Sequence, residues 1–149
     1  MSNEPLIFTL DGEDGEVVEY RMNLGNGLKS WAALKKAGKL FKGIGGADIM
    51  EDDKKTINKG KMMMVILDVV LDNAGSPEFA DLETIVFANT VVNIDGQKPY
   101  KLNDHKDVHF NKYRSHILSI LKEGIVFQFA DFIKGNGLFK AAGLATPNN

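Results

Sequence analysis

Apolar and polar side chains alternate in two short segments near the start of the chain. The apolar members are Leu6, Phe8 and Leu10 in the first segment and Val18, Tyr20 and Met22 in the second. Alternation with a period of two is typical of strands that bury one face. The polar residues between them, 11–16, contain two glycines and suit a hairpin loop. We therefore predict an N-terminal β-hairpin, which must pack against helices because a two-stranded ribbon is marginal in water.

Helical spacing of apolar residues follows the hairpin. Leu28, Trp31 and Leu34 predict a short helix with Trp31 in the core and Gly38 at its end. A second helix is expected from residues 52–56 to Asn73.

Ser76-Pro77-Glu78 is a strong signal for the start of a third helix. It offers a serine cap, a proline at the first helical position and an acid in the first turn. The residues after Thr90 fit either a small hairpin with a turn at Asp95-Gly96 or a helix end with an extended loop. We favour the hairpin, with Pro99 restricting its second strand to an edge.

The last predicted helix is the longest. It begins at Asn103 or Asp104, ends at Gly135, and carries apolar residues at helical spacing, namely Phe110, Ile117, Leu118, Leu121, Ile125, Phe129 and Phe132. The pattern as a whole predicts a mainly helical α+β fold, in which the hairpin packs on about four helices. We expect one domain over residues 1–143 and a disordered tail over 144–149.

Composition narrows the classes of function. The 149 residues include no cysteine, which excludes thiolate metal sites, a disulfide scaffold and a cysteine nucleophile. The net charge of −2 favours neither nucleic acid nor an anionic membrane. The start of the chain has no basic region typical of a signal peptide, and the apolar runs are too short for a membrane helix, so we expect a chain that stays in water.

Charge is nevertheless unevenly distributed. Residues 20–47 hold six basic residues and no acid. The predicted electrostatic patch is Lys29, Lys35, Lys36, Lys39 and Lys42. Nucleic-acid binding by this patch is an alternative that we rank low, because it contains no arginine for bidentate recognition.

Three histidines, His105, His109 and His116, fall on one face of the last predicted helix. His105 and His109, with Asp104 or Asp107, form a conceivable metal pair. His116 lies roughly 10 Å further along the helix from His109, too far to share an ion. We therefore predict a solvated polar face, with no metal and no cofactor.

The stretch from Ile125 to Ile133 holds more apolar side chains than one helix face can bury. Its core stripe leaves Val126, Phe127 and Ile133 pointing elsewhere. These residues are either covered by the Leu138-Phe139 tail and the N-terminal ribbon or form a surface that another molecule covers, and we favour the second interpretation. Aromatic anchors dominate the energetics of such surfaces. The predicted partner-binding residues are Phe127, Phe129, Phe132 and Ile133.

The order of elements resembles the tail assembly chaperones of tailed bacteriophages. Most of the likeness lies between Tyr100 and Lys134, with His109-Phe110 and the run Phe127-Gln128-Phe129-Ala130-Asp131-Phe132. The resemblance implies a non-enzymatic protein that shields aggregation-prone tail components such as the tape-measure protein, self-associates, and acts in the host cytoplasm. A structural component of the virion (tail, baseplate or connector) is the alternative.

Overall fold

A computed structural model describes residues 4–41 and 58–134 of the chain, and all structural statements below concern those residues. The strands are β1 (Leu6–Asp11), β2 (Val17–Met22), β3 (Thr90–Ile94) and β4 (Tyr100–Lys101). The helices are α1 (Gly27–Ala37), α2 (Lys59–Asn73), α3 (Pro77–Ala88), α4 (Lys106–Lys112) and α5 (His116–Lys134). Short 3₁₀ turns follow α1 at Gly38–Phe41 and β4 at Leu102–Asp104. The predicted α+β, mainly helical fold is confirmed.

The four strands form one antiparallel sheet in the order β1-β2-β3-β4. The predicted N-terminal hairpin is confirmed, and Phe8 lies opposite Tyr20 in it. The second hairpin is also confirmed, because β3 turns at Gly96, whose φ of 81° suits a residue without Cβ, and returns as β4. Pro99 immediately precedes this two-residue edge strand. The sheet therefore extends the predicted ribbon by two strands.

Side-chain caps fix the beginnings of the first three helices. Asn26 accepts a hydrogen bond from the backbone N–H of Lys29, and Asn58 accepts one from Lys61. Ser76 caps α3, with Pro77 at its first position as predicted. The second helix begins at Lys59, and its predicted start at 52–56 lies outside the described residues.

The core face of α1 differs from the prediction. Leu28 is 81% exposed and Trp31 is 38% exposed, whereas the buried residues of the helix are Ser30, Ala33, Leu34 and Ala37. At about 100° per residue, Leu28 lies almost opposite the centre of this small-residue face. The small side chains allow α1 to approach α3 closely, which leaves the larger ones outside. Gly38 also does not end α1 in a left-handed conformation. Its φ is −55°, and the backbone continues from it into the 3₁₀ turn.

The predicted single C-terminal helix is two helices. A break over residues 113–115 separates α4 from α5. The residue before the start of α4 is His105, whereas Asn103 or Asp104 was predicted. Arg114 lies exposed in this break. Because the break interrupts the helix, residues before and after it do not share the single helical face that the sequence predicted.

Helix α5 lies against α2, α3 and the inner face of the sheet. Its middle is buried almost all round, with Ile120, Leu121, Ile125, Val126 and Phe129 in the core. Within the described ranges, no helix is both long and apolar enough to cross a membrane. The predicted domain limits at 143 and the tail at 144–149 fall outside the described residues and stay predictions.

Candidate functional site

The predicted partner-binding residues have different environments. Phe129 is completely buried in the core, which corrects its assignment to a partner surface. Phe127 is half-buried at the edge of the core. Val126, expected to point away from the core, is also buried. The chain thus covers more of the apolar run than its sequence suggests, because α5 has neighbours on several sides. The side chains of Phe132 and Ile133 lie outside the described part, although the backbone of α5 extends through them.

Gln128 fastens the β2–α1 loop to this end of α5. Its side-chain Nε2 donates to the carbonyl of Asn23 at 2.7 Å, and its Oε1 accepts from the backbone N–H of Gly25 at 2.9 Å. The Gln128 side chain is buried, and these bonds satisfy polar groups that would otherwise be costly to bury. We call these two hydrogen bonds the Gln128 clamp. Leu24 lies between Asn23 and Gly25, so the clamp holds it beside the C-terminal half of α5.

Several large apolar side chains remain exposed near this clamp and elsewhere. Leu24 is 38% exposed in the β2–α1 loop, and Leu28 is 81% exposed in the first turn of α1. On α2, Met64 and Leu71 are exposed and seven residues apart, which places them on one face. The aspartates Asp68 and Asp72, one helical turn apart, are also exposed on α2. The surface therefore combines apolar and acidic groups, an arrangement suited to binding another protein.

The basic patch is partly neutralised by α3. Lys36 Nζ lies 3.2 Å from Asp81 Oδ2, and Lys39 Nζ lies 2.8 Å from Glu78 Oε1. The hydrogen bond from Lys39 is the main reason why the pKa of Glu78 lies below its usual value. Lys29 and Lys35 are exposed, and Lys42 lies outside the described residues. This pairing weakens the patch as a site for phosphates.

Two of the three histidines lie in the core, contrary to the prediction of a solvated face. His109 and His116 are buried, whereas His105 is exposed. The hydroxyl of Tyr20 lies 2.8 Å from His109 Nε2 and 2.8 Å from His116 Nδ1. Tyr100 reaches the other nitrogen of His109 at 2.6 Å. His116 Nε2 lies 2.8 Å from the carbonyl oxygen of Asp11.

The donor and the acceptor of each hydrogen bond in this Tyr–His network follow from the bond between His116 and the carbonyl oxygen of Asp11. A carbonyl only accepts, so His116 carries its proton on Nε2 and, when neutral, accepts at Nδ1 from the Tyr20 hydroxyl. The Tyr20 oxygen then accepts from His109 Nε2–H, and His109 Nδ1 accepts from the Tyr100 hydroxyl. With both imidazoles neutral, each of their nitrogens is satisfied.

The electrostatics of this site agree with a neutral imidazole at His109. Burial, with a smaller effect of His116, lowers the pKa of His109 to about 4. Burial also raises the pKa of Tyr20 far above its usual value and raises that of Tyr100. Tyr113, which stacks on His116 with ring centroids 5.1 Å apart, donates to Glu16 Oε1 at 2.6 Å. Its pKa is raised to about 12, first by burial and then by Glu16.

This hydrogen-bond network joins His109 of α4 and His116 of α5 to strands β1, β2 and β4. A conceivable metal pair of His105 and His109 does not form, because His109 is engaged on both nitrogens. Across the described ranges, no three His, Asp or Glu side chains are grouped so that they could hold a metal ion. We interpret the chain of bonds as structural, since it holds no nucleophile activated for chemistry. Sequence reasoning missed it because Tyr20 lies 89 residues before His109, and because the histidines were placed on one continuous helix.

The fold and surface define a class of small α+β protein whose buried polar groups pair with one another and whose described surface carries several exposed apolar side chains. Comparison with known proteins specifies the family. Residues 15–148 match the family described as "Phage tail assembly chaperone protein, TAC", and the chain belongs to that family.

The chain is also similar to proteins of Xylella fastidiosa. Two "Uncharacterized protein" sequences of strain Temecula1 are each 33% identical over 136 residues, covering 91% of this chain and 88% of theirs. A third relative, from strain 9a5c, is 31% identical over 121 residues, covering 80% of this chain and 81% of its own. No solved structure matches the chain.

Family membership assigns the protein to bacteriophage tail assembly. The family's role is a non-catalytic one, and it involves interaction with phage tail proteins. This assignment agrees with the sequence resemblance, which lies mostly in the second half of the chain.

Proposed function

We propose that the protein shields an apolar segment of a phage tail component, the tape-measure protein being the leading candidate, until that component is assembled. It does so in the host cytoplasm, and its copies associate with one another. The family match over residues 15–148 carries the proposal. A chaperone of this kind must bind apolar segments reversibly while its own core stays closed, which requires exposed apolar groups on a stable scaffold.

The surface that we propose for the client combines the end of α5 with the start of α1. Phe127 is half-buried on α5, the Gln128 hydrogen bonds fix the loop that contains Leu24 to this helix, and Leu28 is strongly exposed at the start of α1. Phe132 and Ile133 follow on α5 and remain proposed members. A helix of the client would bury its apolar side against these groups.

The lysines of α1 contribute steering rather than affinity. Lys29 and Lys35 are exposed, so they interact with an acidic client through screened, long-range attraction. Lys36 and Lys39 already have acidic partners on α3. This pairing favours a protein client over nucleic acid, which would have to compete with Asp81 and Glu78.

Co-expression with an aggregation-prone tail protein tests the proposal. The wild-type chain should raise the soluble fraction of the client, and Leu28→Asp and Phe127→Ser should reduce this effect, with circular dichroism confirming that each variant is folded. Val108→Asp is the matched control, because Val108 is 74% exposed but lies on α4. Equal solubilisation by Leu28→Asp, Phe127→Ser and the wild type would contradict the proposed surface.

Two further measurements separate the alternatives. Mass spectrometry of purified particles should find no copies of the protein, whereas a structural component of the virion would be present. Steeply salt-dependent retardation of DNA or RNA, lost on replacing Lys29 and Lys35, would support nucleic-acid binding instead.

A further inference from the structure

The N-terminal strand β1 is an edge of the sheet whose inner side chains are incompletely covered. Among the described strands it pairs with β2 alone. Its core-facing residues Leu6, Phe8 and Leu10 are half-buried, although their partners on β2 (Met22, Tyr20 and Val18) are completely buried. The difference arises because no described strand continues the sheet beyond β1. A further strand there would cover the exposed halves of these three side chains.

The direction of the unpaired backbone groups of β1 follows from the hairpin register. The N–H of Gly12 donates to the carbonyl of Glu16 at 2.7 Å, so this pair is a hydrogen-bonded one. In an antiparallel ladder such pairs alternate with pairs that do not bond to each other. The pairs Leu10–Val18, Phe8–Tyr20 and Leu6–Met22 therefore bond within the hairpin. Ile7, Thr9 and Asp11 direct their N–H and C=O groups to the open edge.

This edge has few of the features that normally block strand addition. No charged residue occurs from Leu6 to Leu10, and the register with β2 runs without a bulge from Leu6 to Asp11. The only proline at the edge, Pro5, precedes the strand. The opposite edge differs, because β4 has two residues and follows Pro99.

We propose that β1 pairs with β1 of a second copy of this chain, antiparallel and about a two-fold axis through Phe8. The proposal gives the self-association suggested above a defined surface. It is independent of the client surface at the other elements. In this pairing Phe8 faces Phe8 of the second copy, Leu6 faces its Leu10, and Ile7 faces its Thr9.

The sequence of the strand is suited to this symmetry. A two-fold interface requires a self-complementary surface, and the inner residues Leu6, Phe8 and Leu10 read the same in both directions. Ile7 and Thr9, which direct their backbone groups outward, then form hydrogen-bonded pairs across the axis. The Asp11 N–H meets the carbonyl of Pro5 of the second copy, a position where the missing proline N–H costs one bond only.

Other registers that keep the inner faces together fit less well. A shift by two residues in one direction places Leu10 opposite Glu4 of the second copy. The same shift in the other direction places Ile7 opposite Asp11 and Leu6 opposite Gly12 of the second copy. Both shifts exchange an apolar pair for a charged or empty one.

A single substitution tests the hydrogen bonds without touching the hairpin. Thr9→Pro removes an N–H that points to the open edge, and proline is tolerated there in the monomer. Sedimentation of the full chain over a concentration series should show a monomer–dimer equilibrium. Thr9→Pro should raise its dissociation constant at least about tenfold, because symmetry removes the bond in both copies. Thr9→Val, which keeps the N–H, should leave the dimer intact.

Cysteine cross-linking tests the register, since the chain has no cysteine of its own. Phe8→Cys places two thiols in a non-hydrogen-bonded pair, where Cα atoms are about 4.5 Å apart and a disulfide can form. Under mild oxidation it should give a covalent dimer, whereas the more exposed Thr9→Cys should not. Circular dichroism confirms that both variants are folded.

A monomeric wild type at all concentrations would overturn the proposal, as would a dimer unaffected by Thr9→Pro. Cross-linking by Thr9→Cys but not by Phe8→Cys would overturn the register. The client assay remains separate, because Thr9→Pro should still solubilise a tail protein, and Leu28→Asp should still dimerise. Strand addition seen only with the client present would assign the edge to the client instead.

Discussion

The hydroxyl of Tyr20 lies 2.8 Å from Nε2 of His109 and bridges it to His116, so one phenol joins the centre of the sheet to both helices that flank the α4–α5 break. The Tyr20 ring also meets both imidazoles edge-on, with centroids 5.6 and 5.8 Å apart. Tyr20 therefore ties together the helices on both sides of the break, although it precedes His109 by 89 residues and His116 by 96.

Removing this hydroxyl should be costly. Tyr20→Phe leaves a donor on His109 and an acceptor on His116 without partners in a site closed to water. The expected loss is about 2–4 kcal/mol in the free energy of unfolding, measured by urea denaturation. Tyr113→Phe is the control, because its partner Glu16 is partly exposed and can be rehydrated. The control should lose about 1 kcal/mol, and equal losses in the two variants would contradict the bridging role of Tyr20.

Stability should fall in mild acid because of His109. Its pKa is about 4 in the folded protein against an ordinary value of 6.5, so below 6.5 the unfolded chain binds a proton that the folded protein does not. The stability present above pH 6.5 is therefore lost as the pH falls towards 4. This group alone should lower the free energy of unfolding by about 2 kcal/mol between pH 7 and pH 5.

Urea denaturation at both pH values measures the effect. His109→Gln should remove most of the dependence between pH 7 and pH 5, whatever its own stability. His105→Gln, at an exposed position, should behave as the wild type does. An unchanged pH dependence in His109→Gln would assign the acid sensitivity to other groups.

Gly124 allows α5 to approach α3 and the sheet. A Cβ at this position would lie 2.5 Å from Cγ1 of Val86 and 2.9 Å from Cε of Met22. The methionine end can move, but the valine is branched and stiff. Gly124→Ala should therefore destabilise by about 1–3 kcal/mol, although alanine is the better helix former by about 1 kcal/mol.

Thermal and urea unfolding of a double-mutant cycle measure this contact. Adding Val86→Ala should recover part of the loss, because each change provides space for the other. Gly27→Ala, with open space around its Cβ at the start of α1, should be neutral or slightly stabilising. A stabilising Gly124→Ala would mean that the helices separate more readily than their packing indicates.

The Gln128 clamp should control the order of the β2–α1 loop. Gln128→Met keeps the length of the side chain but leaves the Asn23 carbonyl and the Gly25 N–H without their partner. We expect a loss of about 1–3 kcal/mol and faster hydrogen exchange at Gly25. Exchange at Ser30, whose N–H bonds to Asn26 within α1, serves as the internal reference. Unchanged protection at Gly25 would show that other contacts hold the loop.

Local sequence determined the elements whose signals act over a few residues. Alternation gave the hairpin, Asp95-Gly96 gave the turn into β4, and Ser76-Pro77 gave the start of α3. These signals depend on the backbone itself, through side-chain period, glycine's access to positive φ and satisfaction of the first N–H groups. The family resemblance, carried by the second half of the chain, was likewise visible in the sequence and was confirmed.

Tertiary structure alone decided which residues are buried on α1, on α4 and at the start of α5. Leu28 and Trp31 were expected inside and are exposed, because α1 packs on α3 through alanines. His109 and His116 were expected outside and are buried, because Tyr20, distant in sequence, bonds to both imidazoles and Tyr100 bonds to the second nitrogen of His109. Periodicity indicates that a helix has two sides, but the free energy of burying each side depends on what the rest of the chain places against it. Those partners are set by the topology of the sheet, which a single pass along the sequence does not reveal.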